Sequence, residues 1–249
     1  MSEFIPIECG SFIVKLASTE EEMKQLYKLR YEELLLYYNE NNENDEHTFT
    51  DQYDHICDHL ICYDKVNQEV AGTYRLVLQE HIKDIGSFIT ESEYDISKLK
   101  SEKLLELGRA VVSGKYRNGA AIIMLWRGLV RYAQTNNIKY MFGTGSFQGV
   151  NPLDYSQALS YIYYDHLSPQ EVRVRARLDS RSDMNLIKRE DIDLREVKKQ
   201  MPALIKGYIK IGATFGEDVF IDKPFNSVDV FVLLDIEKVN PQIIKRFLV

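Results

Sequence analysis

The sequence has few cysteines, no long apolar run and no excess of positive charge. Its three cysteines, Cys9, Cys57 and Cys62, are too few for a disulfide framework in 249 residues, so we expect free or buried thiols. The longest apolar run, Ala120–Trp126, is far shorter than a membrane-crossing helix. The first residues contain neither a basic segment nor an apolar segment, so no signal peptide is predicted. Together these absences favour a cytoplasmic protein.

Acidic residues outnumber basic ones by 38 to 31, which gives a formal net charge of -7. A net negative charge repels nucleic acid, so we expect no nucleic-acid partner. Basic residues are nevertheless concentrated in two clusters, which could bind an acidic partner. The first cluster is Lys115, Arg117, Arg127 and Arg131, and the second is Arg173, Arg175 and Arg177.

Hydrophobic periodicity predicts an α/β (α+β) fold in which a mixed central sheet is flanked by helices. Helices are predicted over residues 19–38, 119–135 and 153–165. Strands are predicted over residues 59–63, 69–78, 104–113, 138–144, 172–178, 208–215 and 228–235. Apart from a polar loop at 39–47, apolar content is steady along the chain. We therefore expect a single domain over residues 1–249.

The segment Leu104–Leu125 predicts a strand, a short polar loop and a helix. Unpaired N–H groups and the helix dipole at such a loop favour an anion, most often a phosphate. Lys115 and Arg117 add positive charge to the loop. The loop has neither a Walker sequence nor GxGxxG spacing, so a plain strand–helix turn is an equal alternative.

Glu106 lies inside the apolar strand that precedes this loop. A buried carboxylate is costly unless it is paired or takes part in chemistry. Arg109 follows three residues later, and a bulge at Gly108 would turn both side chains toward one site. The alternative is a structural ion pair between Glu106 and Arg109.

The same strand, loop and helix resemble those that bind pyrophosphate in the GNAT acyltransferase superfamily, with residues 117–121 (RNGAA) as a loose version of its loop signature. A wider series of motifs resembles the hemolysin-like ornithine acyl–acyl-carrier-protein N-acyltransferases, which are related to the acyl-homoserine-lactone synthases. The series covers nearly the whole chain: KLRY (28–31), DQYD (51–54), CDHL (57–60), GTYRL (72–76), ELGR (106–109), LWRG (125–128), GTGSFQG (143–149), DHLSP (165–169), VRAR (174–177) and PALIKGYIKIGA (202–213).

This resemblance implies transfer of a (3-hydroxy)acyl chain from acyl carrier protein to the α-amine of ornithine, which gives a lyso-ornithine lipid. The donor would be the 4'-phosphopantetheine thioester of the carrier protein, with acyl-coenzyme A as an alternative. We expect no tightly bound cofactor and no metal. Because the product is a lipid, peripheral contact with the inner membrane is compatible with the cytoplasmic assignment. An extended C-terminal part is expected to close the acyl tunnel.

The resemblance and the burial argument agree on Glu106 as the general base that removes a proton from the amine. Arg109 would orient Glu106 or bind the substrate carboxylate. His59 is the second candidate base, although a histidine in a strand is more often a hydrogen-bonded core residue.

Four further residues are candidates for binding the amino-acid acceptor. Arg30 and Arg75 could bind its carboxylate through bidentate hydrogen bonds, and Asp51 and Asp54 could bind its ammonium group. The alternative for all four is a set of structural ion pairs. The candidate donor-binding residues are Val111, Val112, Lys115, Arg117, Gly119 and Ala120.

Two other functions stay open at the level of sequence. One is the same chemistry with a different amine acceptor, as in the synthesis of N-acyl amino acids or acyl-homoserine lactones. The other is a non-catalytic sensor of acyl carrier protein or acyl-coenzyme A. A sensor has little reason to keep a buried carboxylate, so Glu106 favours an enzyme.

Overall fold

The computed structural model describes residues 4–39, 41 and 43–239. Helices and strands alternate broadly as predicted, and the α/β class is confirmed. Among the described residues, the chain divides into two compact units, the first made of residues 4–39, 41, 43–86 and 105–138 and the second of residues 87–104 and 139–239. Organisation as a single domain stays a prediction. Residues 240–249, which end the predicted extended C-terminal part, lie outside the described residues.

The strands are between two and ten residues long. In chain order they are β1 (Ile7–Cys9), β2 (Phe12–Leu16), β3 (Asp58–Asp64), β4 (Glu69–Leu78), β5 (Tyr94–Asp95), β6 (Leu104–Val112), β7 (Tyr140–Gln148), β8 (Arg175–Ala176), β9 (Arg181–Asp183), β10 (Thr214–Asp222) and β11 (Ser227–Asp235).

The α-helices fall into an N-terminal pair, a long central helix and three later helices. They are α1 (Glu20–Arg30), α2 (Leu36–Tyr38), α3 (Ala120–Thr135), α4 (Ser156–Asp165), α5 (Leu194–Gln200) and α6 (Ala203–Lys210). Among the described residues, no helix is both long enough and apolar enough to cross a membrane.

The first unit is built on an antiparallel sheet with the strand order β1-β2-β3-β4-β6. Consecutive residues of a strand point to opposite faces. On one face, Ile61 of β3 packs in a buried cluster with Leu26 and Leu29 of α1. On the other face, Leu60 lies against α3 at Gly128. The sheet is thus covered by α1 on one side and by α3 on the other.

The second unit contains the antiparallel strand order β7-β11-β10-β9 and a separate two-stranded pair, β5 with β8. The longest ladder joins β7 and β11, from Tyr140 opposite Asp235 to Gln148 opposite Ser227. Tyr94 of β5 is fully buried, and its hydroxyl donates to the Asp229 carbonyl at 2.7 Å.

Helix α1 begins with the capping box that the sequence predicts. The Thr19 hydroxyl accepts the Glu22 N–H at 3.2 Å, and the Glu22 carboxylate accepts the Thr19 N–H at 3.3 Å. The helix does not continue as a regular α-helix to Tyr38, because a π-helical turn over Tyr31–Leu35 separates α1 from α2. Such turns change the direction of the side chains that they carry.

Two strand predictions need correction. The predicted strand over 208–215 is wrong, because Tyr208 lies in α6 and the strand β10 begins only at Thr214. The apolar residues Ile205, Tyr208 and Ile209 recur at helical spacing, and this periodicity is the stronger signal. The predicted strand over 172–178 is reduced to the two residues of β8.

Gly128 of α3 allows this helix to pack closely on the sheet, and we predict that Gly128→Ala destabilises the protein. A Cβ at Gly128 would clash with a Val14 side-chain methyl and lie 2.9 Å from a Leu60 methyl. The cost of this overpacking should exceed the ~1 kcal/mol that alanine gains over glycine in helix propensity. The free energy of unfolding should therefore fall by about 1–3 kcal/mol. Ile123→Ala, at an exposed position of the same helix, should change stability by less than about 1 kcal/mol. Equal denaturant midpoints for Gly128→Ala and wild type would contradict the prediction.

Candidate active site

The predicted bulge in β6 is confirmed, and Arg109 occupies it. Arg75 of β4 pairs with Gly108, whereas Thr73 pairs with Val111, so Arg109 and Ala110 together lie opposite the single residue Tyr74. Arg109 adopts a left-handed backbone conformation with φ of 51°. A bulge bends the strand and redirects its side chains. The bulge therefore lies one residue after Gly108, the position that the sequence favours.

One face of the first unit's sheet carries the candidate residues of three strands. His59 of β3 pairs with Arg75 of β4, which pairs with Gly108 of β6, so these residues form a row across the sheet. A Cβ at Gly108 would lie 3.7 Å from Arg75 Nε, so the missing side chain leaves room for the guanidinium. Glu106 is two residues from Gly108 and therefore lies on the same face. It is only 2% exposed, as predicted for a buried carboxylate.

A network of ion pairs brings together five of the predicted residues. The fully buried Arg30 guanidinium donates to Asp54 Oδ1 at 2.8 Å. Arg75 Nη1 donates to both carboxylate oxygens of Asp51 at 2.7 Å and to Asp54 Oδ1 at 3.2 Å. Arg109 Nη2 donates to Asp51 Oδ2 at 2.9 Å. The predicted acceptor-binding residues therefore contact one another, as the ion-pair alternative requires.

The short 3₁₀-helix at Gln52–His55 holds the two aspartates of this network in place. Asp51 caps this helix, since its Oδ1 accepts the Tyr53 N–H at 2.9 Å. Asp54 Oδ2 in turn accepts the Asp51 N–H at 2.8 Å. Each carboxylate thus satisfies backbone donors as well as guanidinium groups, which is how buried charges are stabilised.

His59 is a neutral member of the same network. Its Nδ1 lies 2.9 Å from Arg30 Nη2, which can only donate, so Nδ1 accepts. The proton is therefore on Nε2, which lies 2.9 Å from the Asp54 carbonyl oxygen and donates to it. Burial and the neighbouring Arg30 charge lower the pKa of His59 from 6.5 to about 4. Both ring nitrogens have partners, so the structure places His59 as a support for Arg30.

The exposed part of the network is formed by Asp51 and Arg109. Their side chains are 27% and 20% exposed, whereas those of Arg30, Arg75 and Asp54 are 2% exposed or less. Burial opposes ionisation of Asp51, but the Arg75 and Arg109 guanidiniums lower its pKa well below the usual range. Burial and the Arg75 charge lower the pKa of Arg109. Asp51 and Arg109 are thus the solvent-accessible members of the network.

The predicted anion loop follows β6 and leads into α3. Val111 and Val112 end β6 opposite Thr73 and Gly72. Gly119 has a φ of +96° at the start of α3, where its conformation favours glycine. The first helical N–H, of Ala120, donates to Asn118 Oδ1 at 3.1 Å.

The two cations of the loop are paired with carboxylates of the first unit. Lys115 Nζ contacts Glu69 Oε1 at 2.5 Å, and Arg117 Nη2 contacts Glu33 Oε2 at 2.7 Å. Both cations are more than half exposed. The loop therefore presents less positive charge than its sequence predicts.

The second basic cluster does not lie along one continuous strand, because β8 contains only Arg175 and Ala176. Arg175 pairs with Asp218 at 3.0 Å. Arg173 Nε donates to the Ser168 carbonyl at 2.8 Å, and Arg177 Nε donates to the Glu91 carbonyl at 2.6 Å. Each arginine therefore has a separate structural contact in the second unit.

In the part of the chain that the structure describes, two groups of side chains have metal-ligand atoms within 4.8 Å of one another: Asp54, Cys57 and His59 in the first unit, and Glu93, Asp222 and Asp229 in the second. In the first group, Arg30 and Arg75 already neutralise Asp54, and burial raises the pKa of the Cys57 thiol to about 12. In the second, burial raises the pKa of Asp229 to about 7. Neither donor set is poised for a divalent cation, which needs ionised, uncompensated ligands.

Two residues at this site were not found by sequence analysis. Phe49 lies in the polar stretch before Asp51, and the Arg109 guanidinium stacks over its ring at 3.8 Å. Glu33 reaches the anion loop from the π-helical turn. No residue pattern near either position indicates these contacts, which join segments 60 or more residues apart in the chain.

Comparison with known proteins identifies relatives over most of the chain. A family model for an acetyltransferase (GNAT) domain matches residues 29–127. The L-ornithine N(alpha)-acyltransferase of Rhodobacter capsulatus is 34% identical, covering 92% of this chain and 92% of that protein. The protein of the same name from Brucella abortus is 33% identical, covering 96% and 89%. The ornithine acyltransferase resemblance is thereby confirmed.

Solved structures share the fold at low sequence identity. The coenzyme A-dependent acyl-homoserine lactone synthase BjaI matches with a TM-score of 0.52 and 11% identity, covering 92% of this chain and 81% of that chain. FeeM, an N-acyl amino acid synthase from uncultured soil microbes, matches with a TM-score of 0.53 and 10% identity, covering 94% and 93%. These matches confirm the GNAT-like acyltransferase fold.

The neutral state of His59 predicts a specific loss of stability in mild acid. Because the pKa of His59 is lower in the folded protein, the folded state binds fewer protons than the unfolded state between about pH 6.5 and 4. The free energy of unfolding should therefore fall by about 3 kcal/mol as the pH decreases through this window. Urea unfolding at several pH values checks this, with His59→Gln as the control that removes this contribution. The same pH dependence in both proteins would refute the assignment.

Proposed function

Because the chain belongs to the L-ornithine N(alpha)-acyltransferase family, we propose that it transfers a 3-hydroxyacyl chain from acyl carrier protein to the α-amine of ornithine. The buried carboxylate of Glu106, on the face of the sheet that carries the ion network, is the observation that supports this mechanism. Sequence identity to the L-ornithine N(alpha)-acyltransferases supports ornithine as the acceptor. The carrier-protein donor and the roles of individual residues belong to the proposal.

The reaction is the aminolysis of a thioester. The amine nitrogen attacks the thioester carbonyl carbon, the carbon–sulfur bond breaks, and the products are an amide and a free thiol. An α-amino group is mostly protonated at neutral pH and must lose a proton before or during attack. A positioned base contributes about 100- to 10,000-fold to such a step.

Glu106 is the base that we propose. It accepts the proton of the amine and passes it on to the departing sulfur.

Arg109 and Asp51 are the residues that we propose for acceptor binding. Their partial exposure supports direct contact with substrate, with Arg109 on the ornithine carboxylate and Asp51 near an ammonium group. The contacts of Arg30, Asp54 and His59 support a positioning role, because these side chains are buried and bonded to one another. Arg75 holds Asp51 with two hydrogen bonds.

The donor side of the proposal involves the end of β6 and the anion loop. Val111 and Val112 would supply backbone N–H groups near the thioester, where negative charge develops on the oxygen. Lys115, Arg117, Gly119 and Ala120 would lie near the phosphopantetheine phosphate. A carrier protein is acidic, and Lys115 and Arg117, although each is paired with a carboxylate, are more than half exposed, which supports docking there. Peripheral contact with the inner membrane would deliver the lipid product.

We predict that Glu106→Gln lowers kcat with L-ornithine by at least about 100-fold, because the amide cannot accept the proton of the amine. Thiol release from 3-hydroxyacyl carrier protein measures the rate. The melting temperature should stay close to that of wild type, since glutamine has nearly the same shape as glutamate.

Glu80→Gln is the matched control, because Glu80 is an exposed glutamate just beyond β4 and the substitution removes the same charge. It should leave kcat within about twofold of wild type. Full activity of Glu106→Gln, or an equal loss in Glu80→Gln, would exclude Glu106 as the base. Tight binding of the acyl carrier protein without turnover of any amine would instead favour a sensor.

A further inference from the structure

The anion loop after β6 already holds a carboxylate of the protein itself. Glu33 Oε1 accepts the Gly114 N–H at 2.6 Å, and Glu33 Oε2 accepts from Arg117 Nη2 at 2.7 Å. One side chain therefore uses its two oxygens for a backbone amide and a guanidinium. These are the two kinds of donor that bind phosphate oxygens in proteins.

Two local features allow this contact. Glu33 lies in the π-helical turn Tyr31–Leu35, which interrupts the regular α-helix predicted over 19–38. Gly114 has no side chain, and a Cβ there would lie 3.1 Å from Glu33 Oε1. A larger residue at position 114 would crowd the carboxylate. The helix irregularity and the glycine together thus support the approach of Glu33 to the loop.

The contact changes the charge that the loop offers to a ligand. Arg117 is neutralised by Glu33, and Lys115 is neutralised by Glu69. An anionic ligand at Gly114 and Arg117 has to displace the Glu33 carboxylate or stay beside it. The electrostatic cost of binding rises with the negative charge of the ligand, because the ligand and the Glu33 carboxylate repel each other.

We propose that Glu33 is a specificity residue that disfavours coenzyme A as the carrier of the acyl group. Coenzyme A brings a pyrophosphate and a further phosphate, whereas the prosthetic group of a carrier protein brings a single phosphodiester. Glu33 therefore penalises the nucleotide thioester more than the carrier-protein thioester. The expected change in kcat/KM rests on the proposed acyl transfer. The expected change in affinity for coenzyme A does not.

Calorimetric titration of coenzyme A into wild type, Glu33→Gln and Glu33→Ala tests the proposal directly. Glu33→Gln should bind coenzyme A about tenfold more tightly than wild type, because it removes the charge and keeps an acceptor for the Gly114 N–H. Glu33→Ala should bind coenzyme A at least as tightly. Melting temperatures show whether each variant is folded. If Glu33→Ala does not fold, the comparison of Glu33→Gln with wild type is sufficient for the test.

Glu32→Gln is the matched control. Glu32 is the neighbouring residue of the same π-helical turn, it is exposed, and it faces Lys28 at 3.6 Å instead of the loop. The substitution removes the same formal charge, so a general electrostatic effect would appear in both variants. Glu32→Gln should leave the affinity for coenzyme A within about twofold of wild type. Unchanged affinity in Glu33→Gln, or equal gains in both variants, would overturn the proposal.

Steady-state rates separate this inference from the proposed function. With one 3-hydroxyacyl chain on both carriers, Glu33→Gln should raise kcat/KM for the coenzyme A thioester relative to the carrier-protein thioester by about tenfold. An unchanged ratio would contradict a role in donor selection. Failure of every variant to acylate ornithine would count against the proposed function alone, since the binding measurement needs no turnover.

Discussion

The buried ion network on one face of the first unit's sheet is the constraint on which the site depends. Transferring a charge out of water costs several kcal/mol, and removing one partner of a buried pair leaves the other uncompensated. Arg30 can therefore be fully buried only if Asp54 and His59 are both in place. These contacts join α1, the 3₁₀-helix and β3, and Arg75 and Arg109 extend them to β4 and β6.

The network has a buried interior and a partly exposed end. The interior charges of Arg30, Arg75 and Asp54 are paired with one another, and both ring nitrogens of His59 contact this interior. At the exposed end, Arg75 donates to Asp51, and the Arg109 guanidinium stacks over the Phe49 ring. A site that binds an amino acid needs fixed charges of both signs, and a rigid interior supplies that fixation.

Features that depend on local sequence were predicted well. The strand over 69–78 has the predicted bounds, the capping box at Thr19 is present, and Glu106 is buried in a strand followed by a bulge. Each of these follows from propensity, capping chemistry or the cost of a buried charge. The strand predicted over 208–215 failed because its apolar residues fit helical spacing as well.

Features that depend on distant contacts could not be predicted. Arg109 contacts an aspartate 58 residues away, and Arg117 contacts Glu33 across 84 residues. The π-helical turn that carries Glu33 has no distinctive residue pattern. Charged residues in a sequence indicate that ion pairs will form, but the fold decides which carboxylate meets which guanidinium.

The choice of acceptor and of its reacting nitrogen is tested by the structure of the product formed from 3-hydroxyacyl carrier protein and a panel of amines. Mass spectrometry distinguishes an amide on the α-nitrogen of ornithine from one on its δ-nitrogen. We expect α-acylated ornithine as the main product, with little amide from lysine, homoserine or tyrosine at equal concentration. Preferred acylation of another amine, or of the δ-nitrogen, would contradict this expectation.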